Sequence, residues 1–156
     1  MLNIPFIKIF EQDIRKNRID AELKEFHELK NTINCEGYYS DDTLYVTMDG
    51  PVDSPYVGGK FKITVFFPKN FPKEKPVFKF VTPICHINIS TVRICLDSIN
   101  YYDGSYSILQ ILTQIFMMLT SPNEDSILNS TYGDIYKRDL DEYFAKAREM
   151  TRQYAK

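Results

Sequence analysis

The chain of 156 residues predicts an α+β fold, and three observations carry that prediction. Apolar residues recur at three- and four-residue steps near the start. They then alternate with polar residues along three later runs, and afterwards crowd onto nearly every side of one longer stretch. That order predicts a helix, an antiparallel sheet, an irregular segment and then further helices around one core.

Each element has its own signal. Over residues 13 to 30, Ile19, Leu23, Phe26 and Leu29 or Lys30 form one helical stripe, with Arg15, Lys16, Arg18 and Lys24 elsewhere on the surface. Residues 1 to 12 show no clear helix pattern and are expected to be a short, loose extension. Asn34 to Asp42 reads as turn-rich. Thr43 to Met48 reads as a strand, Leu44, Val46 and Met48 alternating with Thr43, Tyr45 and Thr47. Lys60 to Phe67 repeats this with Phe61, Ile63, Val65 and Phe67, and Val77 to Val81 is a third strand. Short connections favour antiparallel pairing, because parallel neighbours need a long crossover. Pro68, Pro72 and Pro76 donate no ladder bonds, so they end the second strand and shape a loop.

Residues 83 to 106 lack periodicity and are expected to be irregular. Ser107 is a candidate N-cap for a buried helix carrying Ile108, Leu109, Ile111, Leu112, Ile115, Phe116, Met118 and Leu119. Ser130 to Gln153 is expected to hold two helices, packed through Tyr132, Ile135, Leu140, Tyr143 and Phe144.

Composition excludes several classes. A chain with 44% hydrophobic and 26% charged residues reads as one ordinary globular domain. Its net charge of −2 argues against general nucleic-acid affinity. The richest apolar run, Ile108 to Leu119, is too short and too interrupted to cross a membrane. The start lacks the apolar core of a signal peptide. Three scattered cysteines do not form a disulfide framework and suit a reducing compartment, so the expected location is cytoplasmic or nuclear. Two separated histidines, His27 and His86, make no metal-ligand set.

The chemistry concentrates in Cys85-His86-Ile87-Asn88-Ile89-Ser90-Thr91-Val92-Arg93-Ile94-Cys95-Leu96-Asp97. A thiol is the side chain suited to carrying an acyl group, because a thioester forms readily and an amine can later attack it. Upstream lies Gly50-Pro51-Val52-Asp53-Ser54-Pro55-Tyr56-Val57-Gly58-Gly59. Downstream lie Phe67-Pro68, Phe71-Pro72 and Pro76, then Ser121-Pro122-Asn123, then Ile135-Tyr136-Lys137-Arg138-Asp139 with Tyr143, Ala147-Arg148-Glu149, Thr151 and Tyr154-Ala155. In this order they resemble ubiquitin-conjugating enzymes over residues 14 to 155, with residues 1–12 as a short extension and 13–156 as the core domain.

The resemblance implies the family's fold, with a four-stranded antiparallel meander. It makes Cys95 the nucleophile, loaded with ubiquitin by an activating enzyme that consumes ATP, so that no cofactor sits on this chain. It implies that Asn88 stabilises the oxyanion of aminolysis or supports the loop, and that His86 holds backbone rather than acting as a base. Ser126 falls at the family's gate position, where it would tune entry of the acceptor lysine, and Asp97 is a lesser candidate beside the thiol. Arg15, Lys16 and Arg18 fall where the family meets the activating enzyme and the ligase. Phe71 and Lys73 lie in its ligase-contact loop, Lys73 where some members expose a Phe. Implied partners are ubiquitin or a ubiquitin-like modifier, an activating enzyme, a ligase and a protein substrate, with neither nucleic acid nor membrane. A non-catalytic conjugating-enzyme variant is an optional further partner.

Departures from the pattern matter. Ile87 replaces the usual Pro between His and Asn, the interval from Asn88 to Cys95 is one residue short, and Tyr101, Tyr102 and Tyr106 stand in a loop that usually carries a Trp. Alternatives therefore stay open: a NEDD8-type conjugating enzyme, a poorly active ubiquitin-binding scaffold, or a cysteine hydrolase using Cys95, His86 and Asn88. The last is awkward, since one residue separates His86 from Asn88. The SUMO-specific relative is strongly basic, whereas this acidic chain with Asp53-Ser54-Pro55-Tyr56 looks ubiquitin-type.

Overall fold

The computed structural model describes residues 4–156. The first element is a long helix, α1 (Ile4–Leu29), followed by a short 3-10 turn, Lys30–Ile33. Four strands follow: β1 (Cys35–Ser40), β2 (Thr43–Asp49), β3 (Lys60–Phe66) and β4 (Val77–Phe80). The rest is helical apart from its connections: α2 (Asp97–Asn100), α3 (Ile108–Thr120), α4 (Ser130–Arg138) and α5 (Leu140–Tyr154). The sheet is an antiparallel meander in the order β1-β2-β3-β4, and the fold is α+β as predicted.

The alternating runs bury the expected faces. Leu44, Val46 and Met48 on β2, Phe61, Ile63 and Val65 on β3, and Phe78 and Phe80 on β4 point inward. They meet the apolar side of α3, where Ile108, Ile111, Leu112 and Ile115 are fully enclosed. Ser107 caps α3 as its position suggested. Its hydroxyl accepts from the Gln110 N–H and the Gln110 side chain accepts from the Ser107 N–H, a reciprocal capping box.

Four expectations need correction. The segment from Asn34 to Asp42 is mostly strand: Cys35–Ser40 pairs with β2, and only Asp41 and Asp42 turn, both at positive φ (49° and 62°). That geometry is a two-residue hairpin turn whose twist matches the strands. Gly37, which looked like a turn residue, is a packing glycine. A Cβ there would lie 2.6 Å from the Tyr45 carbonyl and 3.0 Å from the Phe26 ring.

Residues 4–12, expected to be loose, form the first turns of α1; residues 1–3 lie outside the described chain. Pro5 is tolerated there because first-turn N–H groups have no intrahelical partner. The pattern was illegible because Phe6, Ile9 and Phe10 do not extend the core stripe and are exposed. Of the alternatives Leu29 or Lys30, Leu29 is exposed at 46% and Lys30 is half-buried, and Leu140, expected to pack, is exposed at 43%.

The cations of α1 and the loop after β3 differ most from expectation. Arg15 is engaged by the fold: its Nη2 donates to Asp42 Oδ1 (2.9 Å) and the Phe67 carbonyl (2.9 Å), and its Nε to the Pro68 carbonyl (3.1 Å). Arg18 is likewise held, by Glu22 (2.9 Å) and the Gly104 carbonyl (3.0 Å). Phe71 is 2% exposed and packs edge-on against Phe67, so it is core and not a contact residue. Lys16 and Lys73 do stand in solvent, paired with Asp20 (2.8 Å) and Glu11 (3.3 Å).

A stability contrast follows from this. Arg15→Ala should cost about 1–3 kcal/mol, because two strand-end carbonyls lose a charged donor, while Lys16→Ala should change stability by less than about 0.5 kcal/mol. Urea denaturation of the two variants checks the difference. Equal, small effects would return Arg15 to the surface.

Candidate active site

The segment from Ile84 to Ile89 is buried yet belongs to no sheet or helix. Its polar backbone therefore needs partners from elsewhere. Tyr56 donates its hydroxyl to the Cys85 carbonyl (2.6 Å), and the Ile87 N–H donates to the Tyr143 hydroxyl (3.2 Å). The Ile87 carbonyl accepts from the Leu128 N–H (2.8 Å). The Gly-rich run upstream exists to deliver Tyr56. Gly50 lets the loop close, since a Cβ there would lie 1.8 Å from the Tyr56 carbonyl oxygen.

His86 is fully enclosed. Its Nδ1 accepts from the Asn88 N–H (3.0 Å), which leaves the proton on Nε2 to be donated to the Met118 carbonyl (2.9 Å). Burial pulls its pKa down to about 4, against the opposing pull of that carbonyl. Both nitrogens are occupied and the ring is neutral, so it is a structural imidazole. A Cys–His–Asn relay does not form here.

Asn88 is as completely engaged. Its amide nitrogen donates to the carbonyls of Asn123 (2.8 Å) and Ser126 (2.7 Å), and its Oδ1 accepts from the Asn123 N–H (2.9 Å). No N–H is left over for an oxyanion in this arrangement. The side chain fastens the loop from Asn123 to Ser126 to the segment that carries the thiol.

From Asn88 the chain makes a tight hairpin. The Cys95 N–H donates to the Asn88 carbonyl (2.9 Å), Ile89 pairs with Ile94, and the Ser90 N–H donates to the Arg93 carbonyl (2.8 Å). Ile89 and Ile94 are buried beneath it. Thr91-Val92 form the hairpin tip, and the Cys95 N–H bond to the Asn88 carbonyl closes its base.

Cys95 opens on a cleft of about 670 Å³. Asp97 and Ser126 line the same cleft, with Tyr101, Asp103 and Tyr106 from the loop before α3, and Ser121 and Asn123 from the loop after it. The other thiols are excluded: Cys35 and Cys85 are buried, and burial pushes both up to about 12. The structure therefore gathers Cys95, Asp97 and Ser126 at one mouth, with Asn88 and His86 beneath it. Arg15, Lys16, Arg18, Phe71 and Lys73 lie outside this cleft lining.

A family model of the ubiquitin-conjugating enzymes matches residues 18–151. The chain belongs to the ubiquitin-conjugating enzyme family. Membership makes it a transferase by class, with ubiquitin, activating enzymes and ligases as the family's general partners, and its helix–meander–helices architecture is that of the family. Ile87 stands where the resemblance leads one to expect a Pro. Its buried side chain and bonded N–H show what replaces that ring.

Sequence reasoning missed Tyr56 and Tyr143 as supports, and also Glu22, which is 5% exposed. Glu22 was findable. It falls between Ile19 and Phe26 on the apolar stripe, where a carboxylate needs buried partners.

Two outcomes test this site. Asn88→Ala should lower stability by about 2–4 kcal/mol, since it strands Asn123 and Ser126 backbone groups together; a loss under 1 kcal/mol on denaturation would make the loop self-supporting. For His86, the folded pKa of about 4 lies below the ordinary 6.5, so the unfolded chain binds the proton first as pH falls. Its contribution is complete above pH 6.5 and declines by ~3 kcal/mol toward pH 4. Stability measured across that window should slope upward with pH, and the slope should flatten in His86→Gln.

Proposed function

We propose that the chain accepts the C-terminal carboxyl group of ubiquitin as a thioester on Cys95 and passes it to a lysine amine or a ligase cysteine. The observation that carries this reading is the position of the three thiols. Two are enclosed and held protonated, and only Cys95 opens on a cleft large enough for an incoming acceptor.

In the first step the Cys95 thiolate attacks the thioester carbonyl on the activating enzyme. The carbon–sulfur bond to that enzyme breaks, and its cysteine leaves as thiolate. In the second step a neutral amine attacks the Cys95 thioester carbonyl, the carbon–sulfur bond breaks with Cys95 leaving as thiolate, and the extra proton on nitrogen passes to solvent. A lysine with a reference pKa of about 10.4 reacts only once deprotonated. Asp97 and Ser126 stand at the cleft where they can accept hydrogen bonds from the incoming amine and orient it. Asn88 acts on this chemistry through the loop it fastens, not as an oxyanion donor.

ATP is consumed by the activating enzyme, so this chain works without its own cofactor. The reading places it in the cytosol or nucleus, where Cys95 stays reduced. Of the cations singled out on the partner surfaces, Lys16 on α1 and Lys73 on the proline-rich loop are exposed and available to the activating enzyme and ligase, beside Lys8 and Lys24 on α1 and Lys69 and Lys75 on the loop.

The test is loading with activating enzyme, ATP and modifier, read on non-reducing gels. Cys95 should form a reductant-sensitive adduct with ubiquitin that Cys95→Ala abolishes, and Cys35→Ser and Cys85→Ser should retain it. An adduct with a NEDD8-type modifier alone would reassign the modifier. Loading that survives Cys95→Ala would remove the proposal.

A further inference from the structure

The loop that supplies Tyr101, Asp103, Ser105 and Tyr106 to the cleft has few anchors. Its Asp103–Ser105 bonds are internal, and the Tyr101 N–H reaches only the Asp97 carbonyl. Among the described residues, the one long-range hydrogen bond to residues 101–106 comes from Arg18 Nη2 to the Gly104 carbonyl (3.0 Å). Arg18 is itself aimed by Glu22, whose Oε1 accepts from Arg18 Nε (2.9 Å). The other Glu22 oxygen accepts from the Ile108 N–H (2.7 Å), the first residue of α3. Glu25 Oε1, one turn along α1, accepts from the Ser107 hydroxyl (2.9 Å).

We propose that Arg18 and Glu22 form a positioning pair, which ties α1 to the tyrosine-bearing wall of the Cys95 cleft and so sets the geometry in which an acceptor amine meets the thioester. The pair touches neither nucleophile nor acceptor, and it acts through the loop. Three points favour this over a bond that merely stabilises. Glu22 is 5% exposed, and its two oxygens are satisfied by Arg18 and a backbone N–H together, so loss of either partner leaves a buried group unpaired. Arg18 uses two separate nitrogens in a fixed fork, a geometry that a lysine ammonium cannot reproduce. Apart from this bond the loop is held mainly by Tyr102, which packs half-buried against the core, and Gly104, at φ +86°, has nothing within 4 Å of where a Cβ would stand. A displacement of about 1 Å at a reacting group costs up to about a hundredfold in rate, so a loosely held wall matters for transfer.

The inference rests on Cys95 carrying a thioester, and the experiment separates the two. Wild type, Glu22→Gln and Arg18→Lys are loaded to completion, the activating enzyme is quenched, and discharge to free lysine is followed. Glu22→Gln keeps an oxygen for the Ile108 N–H but no longer aims Arg18. Arg18→Lys keeps the charge but not the fork. Both should discharge roughly five- to twentyfold more slowly, through a lower maximal rate at saturating lysine. Hydrogen exchange should quicken at residues 101–106 while α3 amides stay protected, and iodoacetamide should alkylate Cys95 within about twofold of the wild-type rate. Wild-type discharge despite quickened exchange would overturn the positioning role, and unchanged exchange in both variants would overturn the tie itself. Failure of wild type to form any thioester would sink the functional reading, while the exchange data would still report on the tie.

Discussion

The structure depends on one constraint: a stretch of backbone, Ile84 to Ile89, is buried without a sheet or helix to satisfy it. An orphaned buried amide or carbonyl costs about 1–3 kcal/mol, so several together would exceed what a domain of this size can bear. The remedy is a set of polar side chains drawn from distant parts of the chain. Tyr56 comes from the loop after β2, Tyr143 from α5, and His86 and Asn88 from the stretch itself. Each anchors a different neighbour: β-sheet loop, C-terminal helix, α3 and the loop after α3. Cys95 is presented by the convergence of all of these on one irregular segment, and by no single element.

Ile87 shows how such a site tolerates a departure. A proline there would fix φ and remove the N–H. Isoleucine keeps an N–H that Tyr143 accepts, and its side chain fills space with no exposure at all. Rigidity that a ring would supply is supplied here by packing and by one hydrogen bond. Restoring the ring would therefore remove both, and the neighbourhood of Ile87 is built around isoleucine. The interval to Cys95 is likewise closed locally, by a tight turn at Thr91-Val92 between the Ser90–Arg93 and Asn88–Cys95 bonds.

Much of the fold was legible because its periodicities are strong. The three alternating strands and the buried α3, with its Ser107 cap, follow from side-chain pattern and local capping chemistry alone. β1 was not legible: its Gly37 looks like a turn residue until the Phe26 ring is seen lying against it. The first turns of α1 hid for the opposite reason, because apolar residues there face solvent and break the stripe. At the site, Cys95 stood out by context, and Asp97 and Ser126 do share its cleft. Hydrogen-bond saturation of Asn88 could not be read, because its partners are backbone groups thirty-five or more positions away. Side-chain identity says what a group can do, and only the fold says whether it is already engaged.

The same distinction reshapes the partner surface. Arg15, Lys16 and Arg18 look equivalent in sequence, three cations at the start of a docking helix. The fold separates them. Arg15 closes the β1–β2 turn against the loop after β3, Arg18 reaches the cleft wall, and Lys16 alone is left in solvent, beside Asp20. Exposed cations steer encounters over about a Debye length, near 10 Å at ordinary salt, and on this helix they are the lysines, Lys8, Lys16 and Lys24, and not the arginines. Its first turns instead present Phe6, Ile9, Phe10 and Ile14 to water. The helix therefore has two characters: an N-terminal stretch that is apolar at the surface, and a middle whose arginines face inward and join the helix to the β1–β2 turn and to the wall of the Cys95 cleft. A change of charge in that middle stretch disturbs the fold before it disturbs any partner, so docking on α1 has to be tested at Lys16 and the apolar turns, not at Arg15 or Arg18.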